Sequence, residues 1–484
     1  MHANLLLIPL FLPILAGAIS YFIPFQKNSH RNAYVMTILC ISAAFVWALA
    51  IFPPKESLVL LQFADNLTFS LELDGAGRIF SCLSATLWPL TALYAFSYMS
   101  HEEHLPMFYC FFVMSFGVTM GIAMADNMLT MYLFYELLSL FTIPLVMHGM
   151  GKKHNYAARK YMIYSIGGAA FAFSGVAFLI LSGANDFVFG GALNTLGENA
   201  ISRILFVFAF FGFGVKAAIF PLHSWLPTAS VAPTPVTALL HAVAVVKAGA
   251  FALIRLVYYA YGADLLQGTW MQYTVMSFAL FTILYGSVSA LRQGHFKRRL
   301  AYSTVSNLSY ILFAVTLMTK ASLVAAFCHL VFHSVIKIGA FFAAGSLLHN
   351  SNKEYLSQME GVGRKMPLTF LFFGISALAL TGIPPLNGFI SKWYIATSAI
   401  EEGSVLAIIG VAVLLCSALL TGMYMFDPLV RAFFPRKGVT SELAETKEAD
   451  WRMLIPMGIC ALLCFALGLF SGGFLSLLKG VLAL

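Results

Sequence analysis

Charged side chains are scarce in this chain: Asp, Glu, Lys and Arg together make up 10% of 484 residues, while 60% are hydrophobic. Apolar runs of about twenty residues, the length that crosses a bilayer, recur from end to end. This excludes a soluble multidomain enzyme and points to an all-α polytopic membrane protein. Paired cysteines are missing too. Cys40, Cys82, Cys110, Cys328, Cys416, Cys460 and Cys464 lie in or beside apolar runs without paired spacing, and no iron–sulfur motif occurs. Cys460 and Cys464 share a helix face, yet read as packing rather than as metal ligands. The N-terminus, MHANLLLIPLFLPILAG, lacks the basic leader of a signal peptide and has too long an apolar core for one, so it reads as an uncleaved first helix. The net charge of +8 does not call for nucleic acid, because Lys and Arg collect in loops as they do in any bilayer protein.

Hydropathy gives fourteen spans: 4–23, 33–52, 79–98, 107–125, 128–149, 160–182, 203–222, 236–259, 270–291, 301–318, 322–348, 366–396, 404–427 and 453–475. The whole chain, 1–484, reads as a single membrane domain, with three N-terminal helices in 1–100, five-helix units in 107–259 and 270–427, and a last helix in 453–484. Loops after odd-numbered spans carry 18 of the 28 Lys and Arg, among them Lys27, Arg31, Lys297, Arg436 and Lys437. The positive-inside rule therefore puts those loops in the cytoplasm and both termini outside, in what reads as a prokaryotic inner membrane. Four lysines fall inside spans: Lys216, Lys247, Lys337 and Lys392. A lysine on an apolar span costs roughly 2.5–3.5 kcal/mol even on the lenient insertion scale, so these four must line something polar.

Two spans contain helix breakers. The seventh ends in Phe220-Pro221-Leu222-His223-Ser224-Trp225-Leu226-Pro227, and the twelfth holds Thr381-Gly382-Ile383-Pro384-Pro385-Leu386-Asn387-Gly388. Proline frees backbone carbonyls, which a bilayer tolerates only around a cavity. The breaks are five spans apart, so spans 4–8 and 9–13 read as two repeats. Five is odd, which inverts the second repeat in the membrane, an arrangement of transporters with broken helices.

The polar groups on the spans suggest a relay. Glu136 is the one acid of the fifth span, and Lys216 is its nearest candidate partner. His329, His333 and Lys337 stand at i, i+4 and i+8, a polar stripe roughly 12 Å long on one helix face. Lys392 follows the second break. His241 and Lys247 are six residues apart, about 240° around a continuous helix, and so should face different neighbours. A haem would need an axial histidine from a second helix, with His148, His223 and His241 as candidates.

The segments YLFYELLSL, KAAIFPLHSWLPTASVAPTPVTALLHA, HLVFHSVIKIGAFFAAG and GIPPLNGFISKW closely resemble the antiporter-like proton-channel subunits of respiratory complex I, energy-converting membrane-bound hydrogenases and Mrp-type cation/proton antiporters. The resemblance spans about residues 65–430. It implies two inverted five-helix repeats forming half-channels joined by charged residues at mid-membrane. It also implies relay roles for Glu136, Lys216, His241, Lys247, Lys337 and Lys392, the last being lysine in some members and glutamate in others; His329 and His333 fall on the same line. The sequence stops near residue 484 without the long lateral helix of the largest complex I subunit, so the expected resemblance is to the shorter members, whereas having both His241 and Lys247 resembles the larger antiporter subunit.

The resulting expectation is proton translocation driven by a partner's redox reaction. No cofactor is expected in this chain; iron–sulfur clusters, flavin or a nickel–iron centre would sit in a peripheral redox module held beside other membrane subunits. Two alternatives stand beside it. One is sodium/proton exchange or ion-coupled uptake, with Asp126 and Glu136 as oxygen ligands for the cation; the other is a redox subunit with its own haem or quinone site. A purely structural anchor leaves the cost of four intramembrane lysines unexplained.

Overall fold

The computed structural model describes residues 2–64, 67–193, 200–435 and 446–484; Arg436 and Lys437 of the basic loops lie outside the described residues. In chain order the elements are α1 (Leu7–Phe22), α2 (Asn28–Ile51), β1 (Leu58–Ala64), β2 (Leu67–Leu71), α3 (Gly75–Tyr98), α4 (Leu105–Ala123), α5 (Met128–Met147), α6 (Lys152–Leu181), α7 (Ala200–Gly214), α8 (Trp225–Ala229), α9 (Thr234–Ala242), α10 (Val245–Arg255), α11 (Ala263–Leu266), α12 (Trp270–Arg292), α13 (Phe296–Thr316), α14 (Lys320–Ser351), α15 (Pro367–Thr381), α16 (Asn387–Glu402), α17 (Val405–Phe433), α18 (Trp451–Leu469) and α19 (Ser471–Val481).

Among the described residues eleven helices are long and apolar enough to cross a membrane, with α9–α10 and its continuation to Tyr261 counted as one. They coincide with eleven of the fourteen expected spans. The seventh and twelfth correspond instead to the shorter apolar helices α7 and α15, cut by the two breaks. The tenth corresponds to α13, whose first turn holds Lys297, Arg298 and Arg299.

α14 is the axis of the packing. Its 32 residues rise about 48 Å, and the Thr319 hydroxyl accepts from Ser322 N in a capping box that fixes where it begins. It packs against α9, α13, α15, α16 and α18, and 94% of its most apolar window is buried. The outer helices α1, α2 and α17 are the reverse, turning residues such as Phe22, Trp47 and Leu419 outward. On a membrane protein that surface meets acyl chains.

Each break falls on the fourth helix of a group of five: α4, α5, α6, α7–α8 and α9–α10, then α12, α13, α14, α15–α16 and α17. Two features depart from the sequence reading. The eighth span is not continuous: α9 ends at Ala242, Ala244 adopts φ −90° and ψ −89°, and α10 then starts and ends in a π-helical turn, Leu256–Tyr261. No proline or glycine marks this interruption. Residues 58–71, read as a loop, form an antiparallel hairpin with Leu58 opposite Leu71 and Ala64 opposite Leu67.

Candidate functional site

The first break places Lys216. α7 stops at Gly214, and the non-helical segment that follows turns the lysine toward α5, where its Nζ lies 3.4 Å from Glu136 Oε1. The same ammonium is donated to the Tyr135 carbonyl and sits 3.3 Å above the Tyr135 ring. Glu136 keeps 24% of its side chain exposed while Lys216 is buried, so the pair has one foot at the surface of the described chain. Gly249 on α10 explains how the unwound segment fits: a Cβ there would stand 2.5 Å from Ala217 N and 2.8 Å from Lys216 C. Only a residue without a side chain lets α10 come this close.

Lys247, two residues before Gly249, points the other way. Its Nζ lies 2.6 Å from His333 Nδ1 on α14, and both residues are completely buried. While Lys247 is an ammonium it can only donate, so His333 then accepts through Nδ1 with its own proton on Nε2; a neutral Lys247 amine can accept from Nδ1 instead. The line then continues along α14. His333 stacks on His329 with ring centroids 5.7 Å apart, and His329 Nδ1 is 2.9 Å from Ser391 Oγ. Ser391 precedes Lys392, whose ammonium donates to the Leu380 (2.6 Å) and Thr381 (3.1 Å) carbonyls that the second break frees. Gly382, at φ +92°, ends α15 in the left-handed conformation and exposes those carbonyls. The Tyr310 ring lies between, stacked on His329 at 5.4 Å and 5.2 Å from the Lys392 ammonium.

The three residues of the expected stripe stand on the one continuous helix α14, with Lys337 within electrostatic reach of His333, but their hydrogen bonds run to different helices. Lys337 reaches α13, donating to the Leu300 carbonyl at 3.1 Å and to the Ser303 hydroxyl. Lysine 247, from the other half of the chain, ends the histidine pair instead. His241 lies off the line with its ring 4.8 Å from Phe341 and neither nitrogen hydrogen-bonded among the described residues. His241 and Lys247 are not related by 240° of one continuous helix, because the helix is interrupted between them at Val243 and Ala244. Asp126, an expected cation ligand beside Glu136, stands instead at the α4–α5 turn next to Glu72. Among the described residues no group of three or more His, Cys, Asp or Glu is placed to hold a metal ion.

Residues 125–421 match the family described as NADH:quinone oxidoreductase/Mrp antiporter, TM. The chain belongs to this family. Subunit N of the NADH-quinone oxidoreductase of Desulforudis audaxviator is 32% identical over 75% of this chain and 74% of that protein. The Na(+)/H(+) antiporter subunit A1 of Staphylococcus haemolyticus is 30% identical over 97% of this chain, which spans 61% of that protein's length. The fold matches chains of the Mrp complex from Dietzia sp. (TM-score 0.85, 19% identity, 99% of this chain and 97% of that one) and of an archaeal membrane-bound sulfane sulfur reductase (TM-score 0.86, 22% identity, same coverage). This antiporter-like membrane chain is therefore a multi-pass member of the family that the sequence motifs resemble.

Three residues that contact or approach the expected site residues were not among them. Lys297, counted among cytoplasmic loop residues, is buried and donates to the Ala232 carbonyl at 2.8 Å, within electrostatic reach of His241. Ser391 and Tyr310 are uncharged, and nothing about a serine or tyrosine on an apolar span signals a relay. A lysine one residue inside α13 carried the signal for Lys297, but it looked like the end of a loop.

Proposed function

We propose that this chain carries protons across the membrane through two half-channels, one per five-helix unit, joined at mid-membrane, with the driving force supplied by a redox reaction in partner subunits. One observation carries the reading. Lys247 on the first unit meets His333 on the second at 2.6 Å, so a contact between two proton-bearing groups joins the half that holds the Glu136–Lys216 pair to the His329–Lys392 line. Glu136 stabilises the Lys216 ammonium while it is near; drawing the carboxylate away leaves a buried charge held by a carbonyl and a ring, which favours handing the proton on. Lys392, resting on backbone carbonyls near the second break, is the far terminal. Membrane subunits beside this one and a peripheral module holding the electron carriers complete the scheme. The units are taken as inverted repeats in a prokaryotic inner membrane, with both termini outside.

The test is Lys216→Met in the assembled complex, with proton pumping measured in vesicles. A loss of at least about tenfold at normal assembly is expected, since a positioned acid–base group contributes a hundredfold or more. Retained pumping sinks the role. A second reading, sodium/proton exchange, is favoured by the alignment of 97% of this chain with a protein named Na(+)/H(+) antiporter subunit A1. It requires proton movement that depends on sodium.

A further inference from the structure

Away from the relay, a pocket of about 390 Å³ opens where the N-terminal end of α2 meets the C-terminal end of α3, the start of α4 and the start of α18. Its polar end is cationic: Arg31 and Arg452 line it with Asn28, Ser29 and Ser100, and no acidic side chain does. Arg31 is the unusual member. It is 7% exposed, and among the described residues its guanidinium makes one hydrogen bond, from a terminal nitrogen to Asn28 Oδ1 at 3.1 Å, while its Nε has no partner. The Tyr109 ring, 5.0 Å from the guanidinium carbon, supports one face without neutralising it. A buried guanidinium usually meets a carboxylate or phosphate, because its fixed fork of donors is costly to leave unpaired.

The helix end beside it is also open to an anion. α2 has no side-chain cap, and its first turn holds no acid. His30 N and Arg31 N donate to the Lys27 carbonyl, while Asn28 and Ser29, the first residues of the helix, line the same pocket as Arg31 and bring the positive end of the helix dipole to it. One to two turns deeper the walls become apolar, through Met36 on α2 and Leu93 and Phe96 on α3. Trp451, 56% exposed, stands at the rim, the depth at which tryptophan meets headgroups. A cationic head above an apolar shaft is the complement of an amphiphile rather than of a free ion.

We propose that this pocket binds an anionic phospholipid, its phosphate on Arg31, Arg452 and the first turn of α2, and its acyl chain along Met36, Leu93 and Phe96. On the positive-inside reading the site faces the cytoplasmic leaflet, where anionic lipids add to the attraction.

The experiment uses the purified complex in detergent, titrated with phosphatidylglycerol carrying brominated acyl chains. Quenching of Trp451, isolated as the difference from Trp451→Phe, reports occupancy. Phosphatidylglycerol should quench at least about tenfold more tightly than brominated phosphatidylcholine, and Arg31→Gln should erase that preference, as expected for a lost charge-assisted contact. Inorganic phosphate should not displace the lipid. Equal quenching by the two lipids, or an unchanged preference in Arg31→Gln, overturns the proposal, and full displacement by inorganic phosphate overturns it in favour of a free-anion site. Should Arg31→Gln fail to assemble, Arg452→Gln at the exposed rim should weaken phosphatidylglycerol several-fold, and no weakening there also overturns the assignment.

Discussion

A lysine ammonium with no water around it needs acceptors, and the four intramembrane lysines find them in four different ways. Lys216 takes a carboxylate, a carbonyl and a ring; Lys247 an imidazole; Lys337 a carbonyl and a hydroxyl; Lys392 two carbonyls. Lys247 is the most exposed to loss, because His333 is its one hydrogen-bond partner among the described residues. Replacing His333 with Phe keeps the ring volume and removes the acceptor, leaving a buried donor unpaired. The expected cost is about 1–3 kcal/mol, with more for the charged form. His333→Phe should therefore lower the thermal midpoint of the complex and abolish pumping, whereas His333→Gln, which retains an acceptor, should recover most of the stability; equal midpoints for the two variants would contradict the contact. The sequence made Glu136 and Lys216 legible because each is a charge that an apolar span cannot leave alone. It could not pair Lys247 with His333, which are 86 residues apart and meet only through packing of α10 on α14.

The elements at one end of the first five-helix unit are tied by polar contacts that no hydropathy pattern announces. β2 is pinned to the α4–α5 turn: Glu72 N donates to the Met124 carbonyl at 2.8 Å, Asp126 N to the Ser70 carbonyl at 3.2 Å, and Asn127 Nδ2 to Ser70 Oγ at 2.9 Å. Beside them Arg255 grips Asp74 with two bonds of 2.6 Å. Burial pushes the Asp74 carboxyl up, but the guanidinium overrides it and holds the group below its ordinary value. Glu72 has no such partner. Burial, the hydrogen bond with Asp126 and the charges of Asp126 and Asp74 push it up to about 7, against some relief from Arg255. The folded chain thus holds this proton more tightly than the unfolded chain. The penalty is absent below the ordinary value of 4.5 and grows as pH rises through about 7. Glu72→Gln should flatten the fall in thermal midpoint between about pH 5 and pH 8, measured on the detergent-solubilised complex; an unchanged slope would place the titrating group elsewhere. A search for runs of about twenty apolar residues passes over strands this short, which is why the hairpin was invisible while α14 was not. The interruption between α9 and α10 was hidden for a related reason: Val243 and Ala244, where it falls, carry no breaker chemistry.

At the scale of the whole molecule, the choice between proton and sodium coupling turns on where oxygen ligands stand. A sodium ion requires several hard oxygen donors around one point. The carboxylates near the proposed path are apart: Glu136 is committed to Lys216, and Asp126 lies with Glu72 at the hairpin end. The line from Lys247 through His333 and His329 to Lys392 is made of nitrogen bases and a hydroxyl, groups that pass a proton between donor and acceptor states, and it ends on backbone carbonyls that accept from the Lys392 ammonium. A chain built this way should translocate protons without needing sodium as a counter-ion. On the proposed reading, proton uptake in vesicles containing the complete complex should persist within about twofold when sodium is replaced by choline, because among the described residues no carboxylate is hydrogen-bonded along the line from Lys247 to Lys392. Glu136→Gln separates the two readings further. On the proton reading it removes the charge that steadies Lys216 and lowers pumping equally with and without sodium. A loss that sodium rescues would instead mean that the Glu136 carboxylate serves the cation, and the exchange reading would replace the one proposed.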